Sequence, residues 1–260
     1  MPTQSQAGPS LWQRARRCLV QYHCREVYVL AALILAAGAI WVFAEIADEV
    51  LEQETRAFDR TVLLAMREAD DPADPRGSRS IEEMGRDFTA LGGVGIGAFV
   101  TAAALGYLLL RRKWGATLLV LLAVGGGIVL SLLLKVGFDR PRPDLVPHGS
   151  YVVTASFPSG HSMMSAVIYL TLGALLARLH SRRRIKLYFI LLAVIVTVLV
   201  GVSRVYLGVH WPTDVLAGWA AGAGWAILCW GIALLLQRQG RVEESMELSE
   251  PGEDDVAPNF

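Results

Sequence analysis

Six long apolar stretches, each nearly free of charge, restrict what this chain can become. They run over Val27–Ala44, Thr89–Leu110, Trp114–Leu134, Ser162–Leu179, Leu187–Val202 and Thr213–Leu236. A bilayer core of ~30 Å takes about 20 such residues in a helix. The fifth stretch is short and is expected to continue as a helix past Ser203 toward Leu207. Lipid offers no partner to a free backbone N–H or C=O, so spanning segments are helices or closed barrels. No stretch alternates with the period of two that a barrel strand requires. The expected fold is therefore all-α, a polytopic membrane helical bundle with six transmembrane helices. Composition agrees, with 53% hydrophobic and only 18% charged residues; soluble chains carry about 25% charged. A disordered chain, a fibrous repeat and a coiled coil are excluded.

Lys and Arg orient the bundle. Arg111-Arg112-Lys113 separates the second and third stretches, and Arg178, Arg182, Arg183, Arg184 and Lys186 separate the fourth and fifth. Together with an N-terminal arm bearing Arg14, Arg16, Arg17 and Arg25, they mark the cytoplasmic side. Glu45–Asp87, Lys135–His161 and Ser203–Pro212 then face outward. Residues 1–26 are expected to form a cytoplasmic basic arm, 27–236 the six-span domain, and 237–260 an acidic, disordered cytoplasmic tail. The first stretch exceeds the ~7–15 residues of a signal-peptide core and no A-x-A site follows, so it reads as a retained anchor. Within the outward loop 45–88, Phe58, Val62 and Met66 recur every four residues, and Ile81, Met84, Phe88 and Leu91 every three or four. Both patterns predict amphipathic helices that cap the bundle or lie on the membrane, parted by the breaker Asp71–Gly77. Gly93/Gly97 and Gly218/Gly222 stand at the spacing that lets helices approach closely in lipid.

The outward loops hold three polar clusters, and polar groups at a membrane boundary need a function. Lys135, Arg142 and Arg204 are cations beside low-dielectric material. Their repulsion is relieved by an anion, and guanidinium forks match a tetrahedral oxyanion. Pro158-Ser159-Gly160-His161 opens the fourth stretch. A helix start presents free N–H groups to phosphate, Gly160 allows close backbone approach, and Ser159 offers a hydroxyl. His161 and His210 suit acid–base or nucleophilic work. Asp214 follows His210 by four residues, close enough to hold one imidazole nitrogen and leave the other to attack, as the carboxylate of a serine-protease triad does. No carboxylate-rich metal box, HExxH or Walker loop is present, so no metal and no cofactor is expected. Cys18, Cys24 and Cys229 make no CxxC pair. With 24 basic and 24 acidic residues the chain is neutral, and no nucleic-acid partner is expected.

These residues resemble the type 2 phosphatidic acid phosphatase superfamily, in its membrane lipid phosphatase branch, which shares its site with vanadium haloperoxidases. Lys135, Arg142 and Pro143 match Lys-x6-Arg-Pro. Pro158 to His161 match Pro-Ser-Gly-His. Ser203, Arg204, His210 and Asp214 match Ser-Arg-x5-His-x3-Asp. The resemblance covers about Thr89 to Leu236. It implies that His210 is the nucleophile, forming a phosphohistidine, that Asp214 orients it, and that His161 protonates the leaving oxygen. Lys135, Arg142, Ser159, Gly160 and Arg204 would hold the phosphate.

The function expected is metal-independent hydrolysis of a lipid phosphate or diphosphate, of the phosphatidate, phosphatidylglycerophosphate or polyprenyl diphosphate type. The partners expected are that amphiphilic substrate and the bilayer. A lipid phosphotransferase using the same intermediate is the alternative. An anion transporter fits less well, because the charges gather at one edge and not along a path through the midplane. Six spans argue against a soluble haloperoxidase. The location expected is the bacterial inner (cell) membrane, with the site on the extracytoplasmic side.

Overall fold

A computed structural model describes the backbone of residues 11–144 and 155–238, with side chains from 26 to 236 within those stretches. Among them the chain forms α1 (Leu11–Leu51), α2 (Arg56–Ala65), α3 (Arg79–Leu91), α4 (Val94–Leu110), α5 (Trp114–Gly137), α6 (Gly160–Arg178), α7 (Arg183–Tyr206) and α8 (Pro212–Arg238). The β pairing among these residues is an isolated bridge between Arg67 and Pro75. The acidic tail lies almost wholly outside the described residues.

Five helices are long and apolar enough to cross a bilayer, and α3 with α4 makes a sixth if that pair, bent by 48°, counts as one span. Their outward faces carry Leu, Ile and Val in numbers no soluble surface would tolerate, among them Leu30, Phe99, Leu133, Leu191 and Ile195. A lipid environment inverts the usual cost, so these side chains are the solvent-facing layer of a membrane bundle.

Two sequence expectations need adjustment. Thr89–Leu110 is not one continuous helix: the chain breaks at Gly92-Gly93. The break has a packing cause. A Cβ on Gly92 would lie 2.4 Å from Val200 Cγ1 and 3.2 Å from the His161 carbonyl oxygen. The backbone there is pressed between α6 and α7, and only glycine permits it. The anchor helix also starts earlier than its apolar run, since α1 extends back to Leu11 through most of the basic arm. The expected extension of the fifth stretch is present, as α7 reaches Tyr206.

The centre of the bundle is α6, with 56% of its apolar window buried against 11% for α1. It packs on α5, α7 and α8, while α1 lies along the far side of α8. Small residues set these approaches. A Cβ on Gly218 would stand 2.7 Å from the Ser159 carbonyl oxygen, and one on Gly222 2.4 Å from that of Met163. The pair at this spacing therefore packs α8 onto α6 within one bundle.

Loop 45–88 folds into the two helices its periodicity predicts, α2 and α3, and both cap the bundle, α2 against α8 and α3 against α7. The buried face of α2 is unexpected. Leu63 is fully buried, but so is Asp59, while the apolar Phe58 is half exposed.

Candidate active site

All three polar clusters meet at one end of the bundle. Lys135 comes from the last turn of α5 and Arg142 from the segment that follows it. Gly160 and His161 open α6, and Arg204 closes α7. The chain then turns through Gly208 at φ +70°, a left-handed conformation suited to glycine. Pro212 starts α8, a position where its missing N–H costs no helical bond. That sharp turn places His210 just before α8 and Asp214 in its first turn.

Lys135, Arg142, Arg204 and His210 all lie within electrostatic range of His161. A Cβ on Gly160 would sit 3.5 Å from Lys135 Cε and 3.8 Å from its Nζ, in ordinary contact, so the ammonium lies directly beside the start of α6. Ser159 is the N-cap of α6. Its hydroxyl oxygen accepts from the Ser162 amide (3.5 Å) and the Ser162 hydroxyl (3.0 Å). A hydroxyl has two acceptor sites and one proton. With both acceptor sites engaged, Ser159 retains an O–H to offer an anion. Arg204 is mostly buried, and its Nε has no hydrogen-bond partner among the described residues. A buried guanidinium donor is costly to leave unmade, and a phosphoryl oxygen would satisfy it.

His210 and Asp214 form the other half of the site. His210 Nδ1 lies 3.3 Å from Asp214 Oδ2, and both residues are buried. The same carboxylate oxygen accepts from the Trp211 amide at 2.9 Å and from the Ser156 hydroxyl. Arg142 Nη1 approaches His210 Nε2 at 3.3 Å and donates to the Val209 carbonyl at 2.9 Å. A guanidinium can only donate, so Nε2 must present its lone pair and Nδ1 must carry the proton toward Asp214. Burial lowers the His210 pKa to about 4, despite the opposing pull of Asp214, and the nearby Arg204 and Arg142 charges depress it further. Burial likewise lowers that of Arg142, against the pull of Asp214. His210 is thus a neutral imidazole at neutral pH, in the tautomer that turns the Nε2 lone pair toward Arg142 with Arg204 close by.

All eight residues singled out in the sequence therefore converge. Four supports were not foreseen. Arg140 donates to Asp214 Oδ1 at 2.6 Å; Ser156 and the Trp211 amide hold Oδ2; and Thr89 bridges from α3, its hydroxyl 2.8 Å from that of Ser203 and 3.4 Å from Arg204 Nη1. Arg140 was visible as the first arginine of Arg-Pro-Arg-Pro, but the signature spacing selects Arg142. Among the described residues, no three His, Cys, Asp or Glu side chains gather as a metal-binding group.

Residues 114–238 match the PAP2 superfamily. Over 117 residues the chain is 43% identical to a Bacillus subtilis (strain 168) protein named phosphatidylglycerophosphatase B, covering 43% of this chain and 55% of that one. A Sulfolobus acidocaldarius undecaprenyl-diphosphatase is 35% identical over 117 residues, covering 43% and 52%. These alignments span about half the length of the curated relatives. The fold is also similar to the crystal structure titled as the first transmembrane PAP2 type phosphatidylglycerolphosphate phosphatase from Bacillus subtilis. That likeness has a TM-score of 0.62 and 28% identity, and covers 80% of this chain and 98% of the other.

Proposed function

We infer that this chain, whose residues 114–238 belong to the PAP2 superfamily, is an integral-membrane phosphatase acting on a lipid phosphate or diphosphate through a phosphohistidine, without metal. The observation that carries the reading is His210: neutral, tied at Nδ1 to Asp214, and presenting Nε2 beside Arg142 and Arg204. In the first step the Nε2 lone pair forms a bond to phosphorus as the bond to the leaving oxygen breaks. His161, which takes up a proton as the anionic phosphate enters and offsets the surrounding cations, gives that proton to the leaving oxygen. The Nδ1–H remains on His210 and its developing positive charge is offset by Asp214. In the second step water attacks the phosphohistidine, His161 takes the water's proton, the P–N bond breaks and inorganic phosphate leaves. Lys135, Arg142, Arg204, Ser159 and the N–H groups at the start of α6 hold the phosphoryl oxygens throughout. Catalysis of this kind is positioning and charge neutralisation.

An amphiphile fits the surroundings. A cavity of about 650 Å³ adjoins Arg142 and is walled by apolar, basic and acidic side chains, among them Leu51, Phe138, Trp211, Arg56, Arg60 and Asp144. A head group can enter there while its tails stay in lipid. The names of the similar proteins, which concern phosphatidylglycerophosphate and undecaprenyl diphosphate, favour the same substrate class. The basic turns at Arg111–Lys113 and Arg182–Lys186 support an extracytoplasmic position for this end of the bundle.

The test is phosphate release by purified protein in detergent from phosphatidate, phosphatidylglycerophosphate and polyprenyl diphosphate, with and without EDTA. Activity that survives EDTA, competitive inhibition by vanadate and an acid-labile phosphoenzyme absent from His210→Ala are expected. A chelated protein restored only by a divalent ion would refute the metal-free mechanism. Turnover by His210→Ala near the wild-type rate would remove the phosphohistidine.

A further inference from the structure

The carboxylate behind His210 is the middle of a longer ionic chain. Arg140 spreads its fork between two buried acids: Nη1 donates to Asp214 Oδ1 and Nη2 donates to Asp59 Oδ2, each at 2.6 Å. Asp59 is 1% exposed and Asp214 fully buried. Asp59 belongs to α2, in the outward loop and outside the segment 114–238 that matches the family. It is tied in further by the Thr213 amide (2.9 Å to Oδ1) and the Thr213 hydroxyl (2.7 Å to Oδ2). Arg140 in turn donates to the Thr213 hydroxyl at 2.8 Å and the Thr55 hydroxyl at 3.1 Å, and its guanidinium lies 5.8 Å from the centre of the Trp211 ring.

Two features exceed what a simple fastening of α2 needs. An ion pair this deep is seldom a stability device, since apolar side chains of similar volume hold a helix as well; Leu63 already does so one turn along, packed with Val205 and Val215. The stoichiometry is also informative. One guanidinium against Asp214 alone would draw that carboxylate's charge away from His210 Nδ1–H. A second carboxylate on the other prong offsets the guanidinium and leaves Asp214 anionic toward the imidazole. The charged groups acting on His210 from the remaining elements, Arg142, Arg204 and His161, are all basic, and among the described residues Asp214 is the acid paired with it.

We propose that Asp59 is a positioning residue for the reaction: through the fork of Arg140 it fixes Asp214 against His210 and balances the arginine's charge, making α2 part of the working site. The inference rests on the phosphohistidine reading above.

The test uses the full chain in detergent. Asp59→Asn should lower kcat about 10- to 100-fold, the range that a misplacement of about 1 Å produces. KM and the vanadate inhibition constant should stay within about threefold, because Lys135, Arg142, Arg204 and Ser159 are untouched. Since the effect runs through Arg140, the double variant Asp59→Asn/Arg140→Gln should lose no more than Arg140→Gln alone. Losses that multiply, or a loss confined to KM, would overturn the inference. Should Asp59→Asn fail to fold, Arg140→Lys replaces it, keeping the charge but not the fork; the same kcat loss is expected and an unchanged kcat overturns. One arm needs no substrate. In protein labelled with 15N-histidine, the ring-nitrogen shifts of His210 should move in Asp59→Asn, and unmoved shifts sink the inference whether or not phosphate is released. Wild-type protein that releases no phosphate overturns the functional reading alone.

Discussion

Replacing Asp214 by asparagine gives the sharpest test of how the site works, because the structure specifies what the amide would meet. Oδ2 accepts from His210 Nδ1, the Trp211 amide and the Ser156 hydroxyl, and Oδ1 accepts from Arg140. An asparagine has one acceptor oxygen for these two sets. If its oxygen takes the Oδ2 place, its NH2 faces Arg140, donor against donor, in a buried site. If its NH2 takes the Oδ2 place, His210 must accept at Nδ1 and its proton moves to Nε2, toward Arg142, where it blocks the nucleophilic lone pair. Either way the negative charge that offsets the developing imidazolium is gone. The comparable change in a serine-protease triad costs about 10⁴ in kcat, and a loss of about 10³ to 10⁴ is expected here, roughly 4 to 5 kcal/mol of barrier. The residues that hold phosphate keep their places, so KM and the vanadate inhibition constant should change by no more than a few-fold. The assay is steady-state phosphate release in detergent, with vanadate titrated against the same variant. A kcat within tenfold of wild type, or a loss carried entirely by KM, would show that Asp214 serves binding and does not orient the nucleophile.

Gly222→Ala should destabilise the bundle, because its Cβ would stand 2.4 Å from the Met163 carbonyl oxygen, which is backbone and cannot swing away; overpacking of about 1–3 kcal/mol corresponds to a fall of several degrees in Tm, whereas Gly106→Ala, with nothing within 4 Å, should leave Tm unchanged or raised. His210 should stay neutral until pH falls to about 4, read directly from its ring 15N shifts in substrate-free protein, and an imidazole that protonates near 6.5 would contradict its burial. For topology, a single cysteine at Ala69, in a background with Cys18, Cys24 and Cys229 replaced by alanine, should react with an impermeant maleimide in intact cells or spheroplasts, and one at Ser181 only after lysis; the reverse pattern puts the chemistry in the cytoplasm.

Much of this molecule is legible from its residues because the bilayer simplifies the code. Apolar runs of span length can only become helices, and basic turns between them divide the loops into two sides. Where the helix boundaries were misplaced, the cause is local. Gly92-Gly93 reads as two tolerated glycines in an apolar run, since nothing in the sequence tells that Val200 and the His161 carbonyl press on Gly92 from α6 and α7. Basic residues in the arm suggested a separate segment before α1, yet Lys and Arg favour helix nearly as well as Leu does. The eight residues that gather at one end of the bundle stood out because each cluster is polar in a place where polarity is expensive. Thr89 was absorbed into an apolar run, although its hydroxyl reaches Ser203 and Arg204.

The residues that escaped share a physical property. Thr55, Asp59, Leu63 and Arg67 follow one another at intervals of four and are all buried. Asp59 and Leu63 make the buried face of α2, Thr55 is its N-cap and Arg67 lies just past its C-cap, so three of these four buried residues are polar. Reading by periodicity assigns the inward face to the apolar stripe, and so points to Phe58 and its neighbours. That rule assumes that a helix is held by hydrophobic burial. Here it is held by partners supplied from afar in sequence: Arg140 and Thr213 for Asp59, and the Tyr206 carbonyl for Arg67 at 2.9 Å. A polar face buries only if another segment brings complementary groups, so its direction is not a property of the helix itself. Arg140, which completes Asp59, also braces Asp214. The inward direction of α2 is thus set by Asp59 and its distant partners, while the apolar Phe58 points elsewhere. Outward loops of membrane enzymes that carry a Thr-x3-Asp or similar polar repeat, opposite a motif with an unassigned arginine, are on this logic candidates for the same bracing, a pairing that can be sought in the sequence once the need for a buried partner is recognised.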